Sequence, residues 1–189
     1  MIKSFATLLA AALLLILATV SPAAASHDAT YSQGEILTKA KGFFGEVTEG
    51  LARAVEKVFA EQGRPNAFIA GEEVSGAIGI GLRYGNGILN YAGGGGGRKI
   101  YWQGPSVGFD FGGNASKVFT LVYKLHNGES LFQRFPGVEG SLYFVAGFGV
   151  NYQQSGNIIL APIRTGVGLR GGANVGYLHY TKKYSLLPL

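Results

Sequence analysis

The chain has 189 residues, a formal charge of +5 and no cysteine. It is therefore not a disulfide-stapled scaffold, has no thiolate-bound metal site, and offers no acceptor for a lipoprotein anchor. Charge is unevenly divided: residues 26–80 carry eight acids and five bases, whereas 81–189 carry three acids and ten bases. Outside the cytoplasm such a basic body faces anionic lipid head groups and the phosphates of lipopolysaccharide, not nucleic acid.

At the N-terminus, Met1-Ile2-Lys3 gives a short positive region, Phe5 to Val20 an apolar stretch, and Ala23-Ala24-Ala25 a small-residue site after Pro22. The pattern predicts a signal peptide over 1–25, cleaved after Ala25, and hence export to the periplasm. A retained anchor is the alternative, but the uncharged stretch is at the short edge of the roughly 17 to 25 residues that span a bilayer. The remainder makes one domain, in which a helical segment over 26–65 precedes a β body over 66–189.

Ser32-Gln33-Gly34-Glu35 fits the capping box, where the serine hydroxyl and the glutamate carboxylate each satisfy an amide at a helix start. From Ile36 to Phe59, apolar residues recur at three- and four-residue steps, predicting an amphipathic helix that Gly63 and Pro65 end. Gly42, Gly45 and Gly50 each weaken it by about 1 kcal/mol relative to alanine. They either allow close approach of a neighbouring backbone or divide the segment into two helices.

Beyond Ala67 the period becomes two. Strands are predicted over Ala67 to Glu73, Val74 to Tyr84, Ile88 to Ala92, Arg98 to Trp102, Ser106 to Phe111, Lys117 to Leu125, Leu142 to Tyr152, Asn157 to Arg164 and Val167 to Thr181. Gly85-Asn86-Gly87, Asn127-Gly128 and Gly171-Gly172 are turn signals, Gly93 to Gly97 a loop, and Leu131 to Phe135 a helical turn. Many short strands without alternating helices, and with glycines inside them, point to an antiparallel sheet closed into a small barrel. The fold class is α+β, mainly β: an N-terminal amphipathic helix followed by a small antiparallel β-barrel. Whether the helix plugs or flanks the barrel is open at this point.

Catalytic patterns match in letters only. Gly104-Pro105-Ser106-Val107-Gly108 satisfies G-x-S-x-G, but a nucleophile elbow leads into a helix, and here Phe109-Asp110-Phe111 continues as strand. Ser106 is expected to be a turn hydroxyl. Gly166-Val167-Gly168-Leu169-Arg170-Gly171 satisfies G-x-G-x-x-G without the following helix or the ribose-binding acid. The Gly93 to Gly97 run lacks the lysine, hydroxyl and helix of a phosphate loop. His27, His126 and His179 are scattered, so no metal or other cofactor is expected. Glu72 and Glu73 point to opposite faces of a strand, which leaves one of them to be buried against Arg83 or Arg164.

One stretch, Tyr101-Trp102-Gln103-Gly104-Pro105-Ser106-Val107-Gly108-Phe109-Asp110-Phe111-Gly112-Gly113, carries more than composition. Together with Gly71-Glu72-Glu73-Val74-Ser75-Gly76, Gly81-Leu82-Arg83-Tyr84-Gly85 and Pro162-Ile163-Arg164-Thr165-Gly166-Val167-Gly168, it resembles the envelope-integrity family, domain of unknown function 1134. The resemblance runs from about Thr30 to Tyr180. It implies a small soluble β-barrel in the periplasm of Gram-negative bacteria that helps maintain the envelope, with no established catalytic activity. The segment from Ser106 to Phe109, the Val118 to Tyr123 strand and Leu169 to Leu178 are also similar, more distantly, to SYLF lipid-binding domains.

The expected function is thus non-enzymatic support of envelope integrity through an anionic lipid, a glycolipid or another envelope component. Arg83, Arg164 and Arg170 are the candidate cations for such a ligand, and Trp102 and Phe109 the candidate apolar contacts. The alternatives are a scaffold that contacts other envelope proteins, an outer-membrane barrel, and a serine hydrolase acting through Ser106.

Overall fold

The computed structural model describes residues 29–110, 115–165 and 176–185. The predicted signal peptide, Arg170, the Gly171-Gly172 turn and most of the predicted Val167 to Thr181 strand lie outside the described residues.

The capping box forms as expected: Glu35 N donates to Ser32 Oγ, and Ser32 N donates to the Glu35 carboxylate at 2.7 Å. Of the two readings of the glycines, division holds: the amphipathic segment is two helices, α1 over Gln33–Phe44 and α2 over Glu49–Gln62. The break falls at Gly45, whose φ of 101° closes α1 in the left-handed conformation that suits glycine. Thr48 then caps α2 by accepting from Leu51 N. The apolar periodicity continues through the break because both helices turn the same kind of face toward one sheet.

Among the described residues nine strands follow: β1 Ala67–Tyr91, β2 Arg98–Asp110, β3 Ala115–Tyr123, β4 Arg134–Pro136, β5 Tyr143–Val145, β6 Phe148–Val150, β7 Gln153–Ser155, β8 Ile158–Thr165 and β9 Tyr177–Thr181. All pairings are antiparallel in the order β4-β9-β2-β1-β3-β8-β6-β5, with β7 also on β8. The two margins of this curled sheet meet. Gly137, just after β4, bridges Gln153 of β7, and Val138 N donates to Tyr152 O at 2.8 Å. One bridge therefore forms the seam of the barrel.

Several sequence expectations are corrected here. The three strands predicted between Ala67 and Ala92 are one strand, β1, and the two predicted between Arg98 and Phe111 are β2. Gly85-Asn86-Gly87 is not a turn: its residues pair in register with Trp102, Tyr101 and Ile100 of β2. Ser106 pairs with Gly81 within β2 and is not a turn hydroxyl. The helical turn is Gly128–Leu131, capped by Asn127, and the predicted Leu142 to Tyr152 strand is the β5-β6 hairpin. Gly93 to Gly97 is the predicted loop, joining β1 to β2.

The first half of β1 pairs with β3 and its second half with β2, so β1, β2 and β3 form one long hairpin-like ladder. It is folded back on itself. Ten residues of straight strand would separate Glu73 from Arg83 by roughly 33 Å, yet their side chains form an ion pair at 3.2 Å. Gly71 marks the crossing, since a Cβ there would lie 2.2 Å from the Asn86 carbonyl oxygen.

Alternation along the strands divides the core in two. Ile69, Leu89, Ile100, Trp102, Val118, Val122, Leu160, Leu178 and Tyr180 fill the barrel interior. Phe68, Phe119, Leu121, Val150 and Ile163 point outward and are covered by Ile36, Ala40, Leu51, Val55 and Val58 of the helices. Phe119 anchors this layer, stacked on Phe68 at 5.0 Å and flanked by Phe43 and Phe44. With both faces covered, β3 is buried from Val118 to Tyr123, which is why its sequence is almost continuously apolar. The helices flank the barrel and do not plug it.

Candidate functional site

Most of the barrel interior is apolar, but one end holds charge. Glu73 on β1 is 4% exposed and Arg164 on β8 is 5% exposed. Arg164 Nε donates to Glu73 Oε1 at 3.1 Å, and Arg83 Nε lies 3.2 Å from the same oxygen. Trp102 Nε1 donates to the other carboxylate oxygen at 2.9 Å. Arg164 Nη1 donates to Asn151 Oδ1, whereas its Nη2, also buried, has no hydrogen-bond partner among the described residues.

The folding-back of β1 brings Glu73 and Arg83 together, and the β1-β3-β8 pairing puts Arg164 opposite Val118, within reach of both. Trp102 needs room to cross the interior. A Cβ on Gly85, its partner in register, would lie 2.1 Å from the indole, so only glycine leaves space for the ring. Tyr180 packs against the indole at 5.8 Å and completes the wall.

Electrostatically the cluster holds its carboxylate ionised. Burial pushes the Glu73 carboxyl up, but Arg164, Arg83 and the Trp102 hydrogen bond more than offset it and hold it below the usual carboxylate range. Burial pushes the Tyr180 phenol well above its ordinary value. Two guanidiniums, those of Arg83 and Arg164, face this carboxylate.

A narrow cleft reaches this end of the barrel at the seam, between Arg83, Pro105, Gly137, Asn151, Gln153 and Tyr177. It encloses about 10 Å³, room for about one water-sized group. The Gln153 side-chain oxygen is buried there with no hydrogen-bond partner among the described residues.

Of the sequence-predicted site residues, Arg83, Arg164 and Trp102 meet on Glu73. Phe109 lies in β2 with its backbone opposite Ile78, its side chain falls outside what is described, and Arg170 is outside the described residues altogether. Asn151 and Gln153 carried no sequence signal, because a lone amide in a short strand looks like surface. Glu73 was narrowed to one of two glutamates by strand alternation. The Trp102 hydrogen bond was missed, since an aromatic in a strand reads as core. No group of three or more potential metal ligands occurs among the described residues.

Comparisons with known proteins agree with this architecture. A crystal structure of an uncharacterized, beta-barrel-like protein from Brucella abortus is 46% identical, with a TM-score of 0.76, covering 85% of this chain and 99% of that one. No curated protein matches. The family model for Envelope integrity protein A matches residues 29–189, and the chain belongs to that family.

Proposed function

We propose that this chain is an exported, non-catalytic periplasmic protein that supports envelope integrity by holding an anionic group of an envelope component, such as a lipid or glycolipid head group, at the Arg83 and Arg164 end of its barrel. The observation that carries this reading is Arg164 Nη2, a buried cationic donor with no partner among the described residues in a cluster of two guanidiniums and one carboxylate. An incoming carboxylate or phosphate oxygen would satisfy it.

The arrangement also supports the absence of chemistry. Ser106 sits within a paired strand, which is not the strand-to-helix elbow a hydrolase requires. A membrane barrel has a lipid-facing exterior and a polar lumen; here the interior is largely apolar and much of the outer face is covered by α1 and α2.

The test is native mass spectrometry of protein purified from periplasm, with organic extraction, for the natural chain and for Arg83→Gln, whose melting temperature is measured alongside. A stoichiometric anionic lipid or glycolipid, lost in a folded Arg83→Gln, is the expected result. A clean apoprotein mass together with full rescue of an envelope-defective deletion strain by Arg83→Gln would sink it. A second reading, a scaffold for envelope proteins, is favoured by the filled interior: the seam cleft has no room for an acyl chain. It predicts co-purifying protein in place of lipid.

A further inference from the structure

The glycine loop between β1 and β2 lacks a lysine in sequence, but the fold supplies one. Lys39 of α1 stands over a separate cleft of about 140 Å³ whose opposite wall is Gly94, Gly96 and Gly97. Tyr31, Phe68 and Tyr91 supply its aromatic floor, Tyr31 and Phe68 largely buried and Tyr91 half-buried, and Asn90 completes the lining.

The polar groups of the cleft are donors in excess. The acid one turn before Lys39, Glu35, is tied into the capping box by Ser32 N and Oγ and attracts Lys39 only through space; Lys39 forms no direct ion pair among the described residues. No carboxylate lines the cleft. Gly94 N donates to Tyr91 O, whereas the amides of Gly96 and Gly97 make no hydrogen bond to described residues. Asn90 Nδ2 donates to Ile88 O, which leaves its Oδ1 as an acceptor beside Gly97.

We infer that this cleft binds a sugar ring bearing a phosphate or carboxylate. The acidic substituent meets the Lys39 ammonium and the two loop amides, a ring hydroxyl meets Asn90 Oδ1, and the apolar face of the ring rests on the aromatic floor. The floor distinguishes this from a bare anion site, and Lys39 from a site for a neutral sugar. The cleft lies on the helix-covered flank, apart from Glu73 and the two arginines, so its occupancy does not depend on theirs.

Titration of the isotope-labelled protein, followed by amide resonances, tests it with three probes: glucose 1-phosphate, glucose and inorganic phosphate. Glucose 1-phosphate is expected to move the Gly94, Gly96 and Gly97 signals saturably and more tightly than either other probe. Lys39→Ala is expected to weaken it by about tenfold, the worth of one charge-assisted hydrogen bond, and Lys39→Arg to retain it. Lys39 is exposed on a helix, so both variants fold. No saturable shift of these amides, or an equal shift in Lys39→Ala, overturns the assignment, and phosphate binding as tightly as the sugar phosphate overturns its sugar component. Competition by phosphatidylcholine vesicles carrying lipid A then separates a membrane-borne source from a soluble one.

Discussion

Changing Glu73 to glutamine keeps the shape of the buried cluster and removes its one carboxylate among the described residues. At 3.1 and 3.2 Å and an effective dielectric constant of about 20, each arginine contact carries roughly 5 kcal/mol of Coulomb attraction. Desolvation of the three ions offsets most of that sum. What remains on breaking the cluster is the cost of leaving two guanidiniums buried against a neutral amide, about 3–5 kcal/mol. For a chain of this size, at about 2–4 °C per kcal/mol, the melting temperature of Glu73→Gln falls by roughly 6–20 °C. Thermal unfolding followed by circular dichroism at neutral pH measures it.

The pH dependence supplies a second readout. A carboxyl held below its ordinary value contributes stability that is present above the unfolded range, near pH 4, and is lost as pH falls through the native value. The natural chain therefore has an acid-side decline that Glu73→Gln lacks in part. A melting temperature within about 2 °C of the natural chain, with an unchanged acid limb, would refute the electrostatic account of this site.

Gly85→Ala drives a methyl group into the Trp102 indole and is expected to cost about 2–3 kcal/mol, read from denaturant unfolding. Gly42→Ala has the opposite sign: nothing lies within 4 Å of the new Cβ on α1, and about 0.5–1 kcal/mol is gained. Burial pushes the phenols of Tyr123, Tyr143 and Tyr152 up, that of Tyr143 to about 12. Stability they contribute is complete below the ordinary phenol value near 10 and is lost as pH rises toward 12. Alkaline unfolding should therefore coincide with the rise in phenolate absorbance, and Tyr143→Phe should move its midpoint upward.

What the sequence disclosed follows from how local each signal is. The capping box is contained in four residues and was legible to the atom. A division at Gly42, Gly45 or Gly50 was legible as one of two alternatives, but its place at Gly45 was not, because periodicity reports a buried face and both helices share one. Glycine gave the largest error: the letters of Gly85-Asn86-Gly87 fit a tight turn, and what requires Gly85 is a tryptophan on the neighbouring strand. Arg83 and Arg164 could be named as alternatives from the need to neutralise a strand glutamate. That both meet the same oxygen depends on the fold in β1, which no short window contains. Asn151 owes its place to the seam alone.

The long hairpin also sets an order of assembly. β1 pairs with β2 and β3, its neighbours in sequence, so this half of the wall can zip with little loss of chain entropy. β9 must return to β2 across roughly 80 positions to pair Thr181 with Tyr101, and non-local closures of this kind slow folding. Arg164 arrives with β8, 91 positions after Glu73. On this order of assembly Glu73 enters the interior with β1 before Arg164 of β8 is in place to meet it. The chain passes through a stage in which an open, half-neutralised barrel is exposed to whatever anions and cations its compartment provides.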